Sequence, residues 1–219
     1  VSGVSLKVIN AVMLGGDCYP ATPIGVNLPN ADWLRETYGS KSITLSNITH
    51  AHHQASLSSG VLQEFAFTQE EIIWHQQFGA LGDDLHTHLH ECLGHGSGAM
   101  NPGVKLGDLS TYGSVSEETR ADLYALYFMA DDKFLELGLV PDERVYKAHY
   151  NAYLRNGLLV QLARIEPGKD IEQAHMRNRQ LIGNWMLERC STNGWVKIVE
   201  KDGKHFVSVT NHQQLRSLF

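Results

Sequence analysis

In H-L-H-E-C-L-G-H-G-S-G, residues 88–98, His90 and His95 stand five positions apart, with Glu91 after the first and Gly94 before the second. On a helix of 3.6 residues per turn, five steps leave two side chains about 140° apart, whereas four steps leave them about 40° apart. The two imidazoles share a focus only if the turn between them departs from regular winding. Gly94 permits this, because a residue without Cβ enters a π-type bulge or leaves helical dihedrals at low steric cost, and such bulges are frequent at functional sites. The competing reading is a helix that ends at a glycine C-cap with its histidines in solvent.

Helical signals dominate the chain after its first fifth. Residues 1–48 hold half of the prolines and several turn residues, and we expect them to run extended or irregular as a segment separate from a helical domain over 49–219. Thr68 and Glu71 have capping-box spacing at the head of an apolar-periodic run over 68–81. Asp83 or Asp84 is placed to cap a second helix that stops at Gly96-Ser97-Gly98. Residues 114–138 have an S-x-x-E start and a glycine stop, and two more helices are expected within 141–168 and 169–194. Strict alternation on both sides of Asp202-Gly203 predicts a β-hairpin near the C-terminus. The expected class is mainly α with one small β piece.

Composition bounds what such a chain does. With 219 residues, 42% of them hydrophobic, it buries the core of one large domain, or of one domain and a fragment of another. A formal net charge of −6 supplies no basic stripe, which argues against nucleic acid or an anionic membrane as the main partner. No apolar run approaches the roughly 20 residues that span a bilayer, and the opening V-S-G-V-S-L-K lacks a signal-peptide pattern. The chain does not begin with Met, so it is expected to be a piece of something longer. Cys18, Cys92 and Cys190 form no C-x-x-C and read as reduced, mostly buried thiols of a cytoplasmic protein.

A metal centre built on His90 and His95 wants a third protein ligand from another element and one open position. The helix beginning near Ser114 offers Glu117, Glu118 and Asp122. Glu118 and Asp122 are four apart and share a face with Ala121 and Ala125, small residues that let a neighbouring helix approach. In that arrangement Glu118 binds the metal, while Asp122 accepts a hydrogen bond from the far nitrogen of a ligand histidine and fixes its tautomer. Glu117 either orients a ligand in the same manner or pairs with Arg120. The plainer alternative is that these acids offset the helix dipole, with Ser114 and Glu117 forming a capping box. Two rival histidine pairs exist: His86 with His90, at regular four-residue spacing but with no acid between them, and the adjacent His52 and His53, which point to different sides.

H-E-C-L-G-H-G-S-G followed by E-E-T-R-A-D resembles the paired signature of the dipeptidyl peptidase III family of zinc exopeptidases. The likeness continues through A-H-M-R-N-R at 174–179 and P-I-G-V-N-L-P-N at 23–30. It departs at Thr119 and Asp122, where many members have Cys and Glu, and at Ala99, where a lysine is common. The resemblance implies a helical, zincin-like catalytic lobe that binds one Zn2+ through His90, His95 and Glu118, with Glu91 as general base. It further implies that His175 supports the transition state and that Asn27, Asn30 and Arg179 bind substrate. Since His175 and Arg179 are four apart, both are expected on one helix face toward the cleft. The implied substrates are short peptides with a free N-terminus, cleaved to release dipeptides. Members of the family are longer and have two lobes, so the partner implied here is a second lobe of the same full-length chain. The alternatives are a zinc-binding interaction module without activity and a purely structural helical domain.

Overall fold

Thr68 begins the longest helix of the chain by accepting the Glu71 backbone N–H at 3.2 Å. The Glu71 carboxylate turns back onto the Phe67 N–H (3.3 Å) and also meets the buried Arg155 guanidinium at 3.2 Å. In the computed structural model, which describes residues 4–13, 15–16, 22–29, 32–97, 101–104 and 106–219, this helix runs over Gln69–Leu89. Before it lie strands β1 (Ser5–Ile9), β2 (Gly25–Leu28) and β3 (Lys41–Leu45) and helices α1 (Asp32–Tyr38), α2 (Ser46–Ser58) and α3 (Val61–Phe65), making Gln69–Leu89 α4. A π-helical turn, His90–His95, continues it directly. A 3₁₀ segment, Leu106–Tyr112, then leads into α5 (Gly113–Met129), α6 (Lys133–Glu136), α7 (Arg144–Leu158), α8 (Ala174–Arg189), the strands β4 (Val196–Lys201) and β5 (Lys204–Val209), and α9 (His212–Leu215).

The fold is mainly α, with the small hairpin near the C-terminus. Asp202 and Gly203 both take positive φ (+54° and +73°), as a two-residue hairpin turn requires, and Lys201 pairs with Lys204. The α8 helix is capped by the Gln173 side chain, which accepts the Met176 N–H at 2.9 Å.

Three helix boundaries differ from the sequence expectation. Asp83 and Asp84 cap nothing, because α4 passes through them unbroken: Gly82 serves as a packing position, where a Cβ would lie 3.2 Å from His149 Cβ, and the Asp83 carboxylate faces imidazoles. The Ser114–Glu117 capping box does not form either. Helix α5 already starts at Gly113 out of the 3₁₀ segment, and the Glu117 carboxylate is taken by His95 and Arg120. The run 114–138 is also broken at Met129, with α6 as a separate short helix before Gly138, whose φ is +67°.

Helices α4, α5, α7 and α8 enclose the main core, in which Ala125, Leu126, Tyr150, Leu154, Ile182 and Met186 are almost fully buried. The Tyr150 hydroxyl, which needs a partner at that depth, donates to the Leu126 carbonyl at 2.6 Å. Val196, Val207 and Leu215 bring the hairpin and α9 against the same core. The N-terminal strands form a separate sheet of order β1-β3-β2, with β1 parallel and β2 antiparallel to β3. Its Asn27 and Ser42, opposite each other in the register, hold the π turn from the other side. No helix among the described residues is long and apolar enough to cross a membrane. Cys92 and Cys190 are free thiols; Cys18 lies outside the described residues.

Candidate metal centre

The π turn resolves the five-residue spacing. Wider winding from His90 to His95 brings the two rings to 4.6 Å between centroids, edge to face. Helix α5 packs against this turn, and Glu118 reaches over both rings. Its Oε2 lies 3.3 Å from His90 Nε2 and 3.6 Å from His95 Nε2. The three donor atoms are all within 4.8 Å of one another.

The far nitrogens are fixed by two other carboxylates of α5. His90 Nδ1 stands 2.7 Å from Asp122 Oδ1, and His95 Nδ1 stands 2.9 Å from Glu117 Oε1. Each acceptor is itself tied down. Arg120 donates to Glu117 through Nη2 (2.6 Å) and Nε (3.0 Å), and the Tyr153 hydroxyl of α7 donates to Asp122 Oδ2 at 2.7 Å. Carboxylates on Nδ1 leave both Nε2 atoms turned toward Glu118, which is how ligand histidines are oriented around a bound cation.

Glu118 Oε2 is buried and has no hydrogen-bond partner despite three imidazole nitrogens nearby. Contacts of 3.3 and 3.6 Å are long for hydrogen bonds and match the ligand-to-ligand edges of about 3.3 to 3.6 Å that 2.0 to 2.2 Å metal bonds produce in a tetrahedron. The rival trio His86, His90 and Asp122 also has its donors within 4.8 Å. Its contacts, however, are 3.0 Å from His86 Nε2 and 2.7 Å from His90 Nδ1 to the same Asp122 oxygen, which are hydrogen-bond distances. His86 and His90 thus share a second-layer acceptor. His52 is exposed and His53 buried, so that adjacent pair does point to different sides.

Electrostatics follow the geometry. Burial opposes charge on His90, but Asp122 and Glu118 outweigh it and raise its pKa to about 10; His95 is raised by Glu117 and Glu118 in the same contest. Against burial, His90 and His95 hold Glu118 down at about 2, and His95 with Arg120 holds Glu117 at about 2. Glu91 behaves oppositely. Burial pushes its carboxyl up, only partly offset by His90 and His95. Its Oε2 has no partner, and the backbone of β2 covers it so closely that a Cβ on Gly25 would fall 2.6 Å from Glu91 Oε1.

The remaining expected residues divide. His175 of α8, half exposed, brings Nδ1 to 3.3 Å from Glu118 Oε2. Arg179, one turn later, lines a neighbouring cavity with Tyr153. Asn27 is buried and donates to Ser42 Oγ (2.8 Å) and to the Glu91 carbonyl (3.2 Å), leaving its Oδ1 without a partner. Asn30 lies outside the described residues. Sequence reasoning missed Tyr153 and Ser42. Both act across long sequence separations and have no local motif; the sequence pointed to Asp122 as the partner of a ligand histidine, but not to its sharing by His86 and Tyr153.

A helical lobe with two imidazoles and a carboxylate gathered on a deformed helix defines a candidate metal centre. The chain belongs to peptidase family M49, which it matches over residues 17–109 and 104–217. It is similar to dipeptidyl peptidase 3 of Nematostella vectensis, with 27% identity over 86% of this chain and 30% of that protein. It is also similar to dipeptidyl peptidase 3 of Mus musculus, with 28% identity over 76% of this chain and 26% of the relative. The chain therefore spans less than a third of the length of these curated relatives. In fold it resembles dipeptidyl-peptidase III from Caldithrix abyssi (TM-score 0.71, 24% identity) and from Corallococcus sp. strain EGB (0.70, 23%). Each likeness covers 98% of this chain, and 39% and 38% of the respective structures.

Proposed function

We propose that this chain carries the zinc-binding part of a peptidase that releases dipeptides from the free N-terminus of short peptides. His90, His95 and Glu118 hold one Zn2+, and Glu91 is the general base. The observation that carries this reading is the convergence of two Nε2 atoms and an unpartnered, buried carboxylate oxygen, with both Nδ1 atoms anchored by acids. Two imidazoles and one carboxylate suit zinc among the divalent ions.

A bound zinc supplies a Lewis acid that polarises the scissile carbonyl and lowers the pKa of its water from 15.7 to about 7. Asp122 and Glu117 keep the ligand imidazoles in the tautomer that presents Nε2. The raised carboxyl of Glu91 takes the proton of the attacking water and returns it to the leaving amine. His175, on the open side of Glu118, steadies the substrate carbonyl as charge builds on it. Asn27, through its unpartnered Oδ1, together with Asn30 and Arg179, holds the peptide. Dipeptide release rests on the name of the relatives. Their greater length supports a second lobe facing this one across the cleft, with the segment 1–48 toward that border, its strands β2 and β3 also backing the π turn, and 49–219 supplying the metal ligands. A cytoplasmic setting accords with the free thiols of Cys92 and Cys190.

The test is zinc content and hydrolysis of a fluorogenic dipeptide substrate by the full-length protein, wild type against Glu91→Gln. The variant is expected to keep one zinc at this centre and lose at least about a hundredfold in turnover, the lower end of the usual contribution of general acid–base catalysis. Full turnover without Glu91, or activity indifferent to zinc removal, overturns the reading.

A further inference from the structure

A second set of donors lies about two turns earlier along α4, beyond His86, whose ring stacks on that of His149 at 4.7 Å between centroids. His53 of α2, His149 of α7, and His75 and Asp83 of α4 line one cavity of about 600 Å³. His53 Nδ1 is 3.6 Å from Asp83 Oδ2, and His149 Nδ1 is 3.3 Å from Asp83 Oδ1. Neither contact is a hydrogen bond. The Nδ1 atoms of His53, His75 and His149, and Nε2 of His149, are buried without any partner, although the His53 and His149 residues are only 5% and 7% exposed.

Buried imidazole nitrogens without partners are costly and need an explanation. The local backbone is shaped to bring them in. A Cβ on Gly79 would meet His53 Cε1 at 2.7 Å and His75 Nδ1 at 3.1 Å, and one on Gly82 would meet His149 Nδ1 at 3.5 Å. Two glycines of α4 thus let the imidazoles of His53 from α2 and His149 from α7 approach the Asp83 carboxylate, with His75 beside His53 at 5.4 Å between ring centroids. The carboxylate itself, 37% exposed, opens into the cavity and so is reachable. The 3.3 and 3.6 Å contacts have the lengths of those between Glu118 and its two imidazoles, but here each imidazole faces a different carboxylate oxygen.

We propose that His53, Asp83 and His149, with His75 completing the set, bind a second divalent transition-metal cation in this cavity. Asp83 chelates through both oxygens, since each flanking imidazole faces a different one. Among the described residues this trio is opener than the two whose donors all lie within 4.8 Å. The imidazoles therefore draw in by side-chain rotation when the cation enters. An anionic ligand fits less well, because the carboxylate at the focus repels it. Burial, aided by Arg155, also lowers His75 to about 4, so it offers a lone pair and not a positive charge at neutral pH. Imidazole and carboxylate donors select zinc and its late first-row neighbours over magnesium or calcium. The cation ties α2 to the α4–α7 pair and acts as a clamp separate from the candidate catalytic centre.

The experiment counts metal in the full-length protein after loading with Zn2+ and desalting, by elemental analysis and by calorimetric titration of the metal-free form. Two equivalents are expected in the wild type. One is expected in Asp83→Asn and in His149→Gln, and one, still dependent on Asp83, when Glu118→Gln and His95→Ala remove the other centre. In that last background, added Zn2+ should raise the melting temperature, and Asp83→Asn should abolish the rise. Failure of the peptidase reading would leave the Asp83-dependent equivalent in place. A single wild-type equivalent lost with Glu118, or no change in stoichiometry in either Asp83→Asn or His149→Gln, overturns the proposal. Because the calorimetric count is made on the wild type, it holds even if a variant misfolds.

Discussion

Gly94 lies against the backbone of Ala121 so closely that a Cβ on the glycine would fall 2.6 Å from Ala121 Cα and 2.9 Å from its carbonyl oxygen. Gly94 does not have positive φ. The extra residue of the H-E-x-x-G-H spacing therefore does two things: it widens the turn to π winding, and it removes the side chain that would keep α5 away. Ala121, fully buried, stands three residues after Glu118 and one before Asp122, so this contact sets how near the α5 carboxylates come to His90 and His95.

Gly94→Ala should for that reason disturb stability and the centre together. The atoms it meets are backbone and a Cβ, with no flexible end to swing aside, and overpacking of this kind costs about 1 to 3 kcal/mol. For a chain of this size that is a fall in melting temperature of about 2 to 4 °C per kcal/mol. Zinc affinity should drop as well, since His95 and Glu118 separate. A thermal melt and a zinc titration on the same preparation check this; an unchanged melt contradicts the close packing.

Asp122 accepts from His90 Nδ1, His86 Nε2 and the Tyr153 hydroxyl at once, and a neutral amide cannot serve three donors. Asp122→Asn should weaken zinc binding by about 10 to 100-fold, the usual effect of removing an outer-layer carboxylate. Tyr153→Phe keeps the carboxylate and should cost less. Equal losses in the two variants would mean that the hub acts only through packing.

Zinc affinity should depend steeply on pH. In the metal-free protein the acids around His90 raise it to about 10, so at neutral pH the cation must displace a proton from Nε2. His95, also raised, adds to the effect. Each proton released makes the Kd increase about tenfold per unit fall in pH below the raised pKa. Calorimetry in buffers of different ionisation heat should show at least one proton released per zinc at pH 7. No proton release would mean that His90 is already neutral before metal arrives.

How much of this is written in the sequence depends on the range of each interaction. The π turn, the α5 carboxylates and the hairpin were legible because each is local: Gly94 between two histidines, Glu118 and Asp122 on one helix face, Asp202-Gly203 between alternating runs. The N-terminal sheet was not. In β3 the buried positions include Ser42 and Thr44, whose hydroxyls serve the Glu91 carbonyl (3.0 Å) and His88 Nε2 (3.1 Å), so apolar alternation is missing where it would mark a strand. Asp83 was misread for a related reason. An aspartate after a glycine looks like a helix start until His53 and His149 arrive from other helices to face it.

Acid should destabilise the metal-free protein in a window that belongs to histidines. Burial lowers His75, His86 and His212 to about 4, and lowers His88 and His175 as well. Between pH 6.5 and about 4 the unfolded chain binds protons that these folded imidazoles refuse, so stability falls as the pH falls through that range. The raised pair His90 and His95 acts with the opposite sign. Their stabilisation is fully present below pH 6.5 and is lost only as pH rises toward their raised values, so they do not offset the fall. Glu117 and Glu118, depressed to about 2, stabilise fully above their unfolded value of 4.5 and begin to lose that contribution only below it. A loss of stability between pH 6.5 and 4.5 is thus a histidine signal, worth about 1.4 kcal/mol per unit of depression for a fully buried group. Denaturant melts of the chelator-treated protein at pH 7.0, 5.5 and 4.5 should show it, and His212→Gln should flatten the slope. A profile flat down to pH 4.5 would mean that these imidazoles charge freely in the folded state despite their burial.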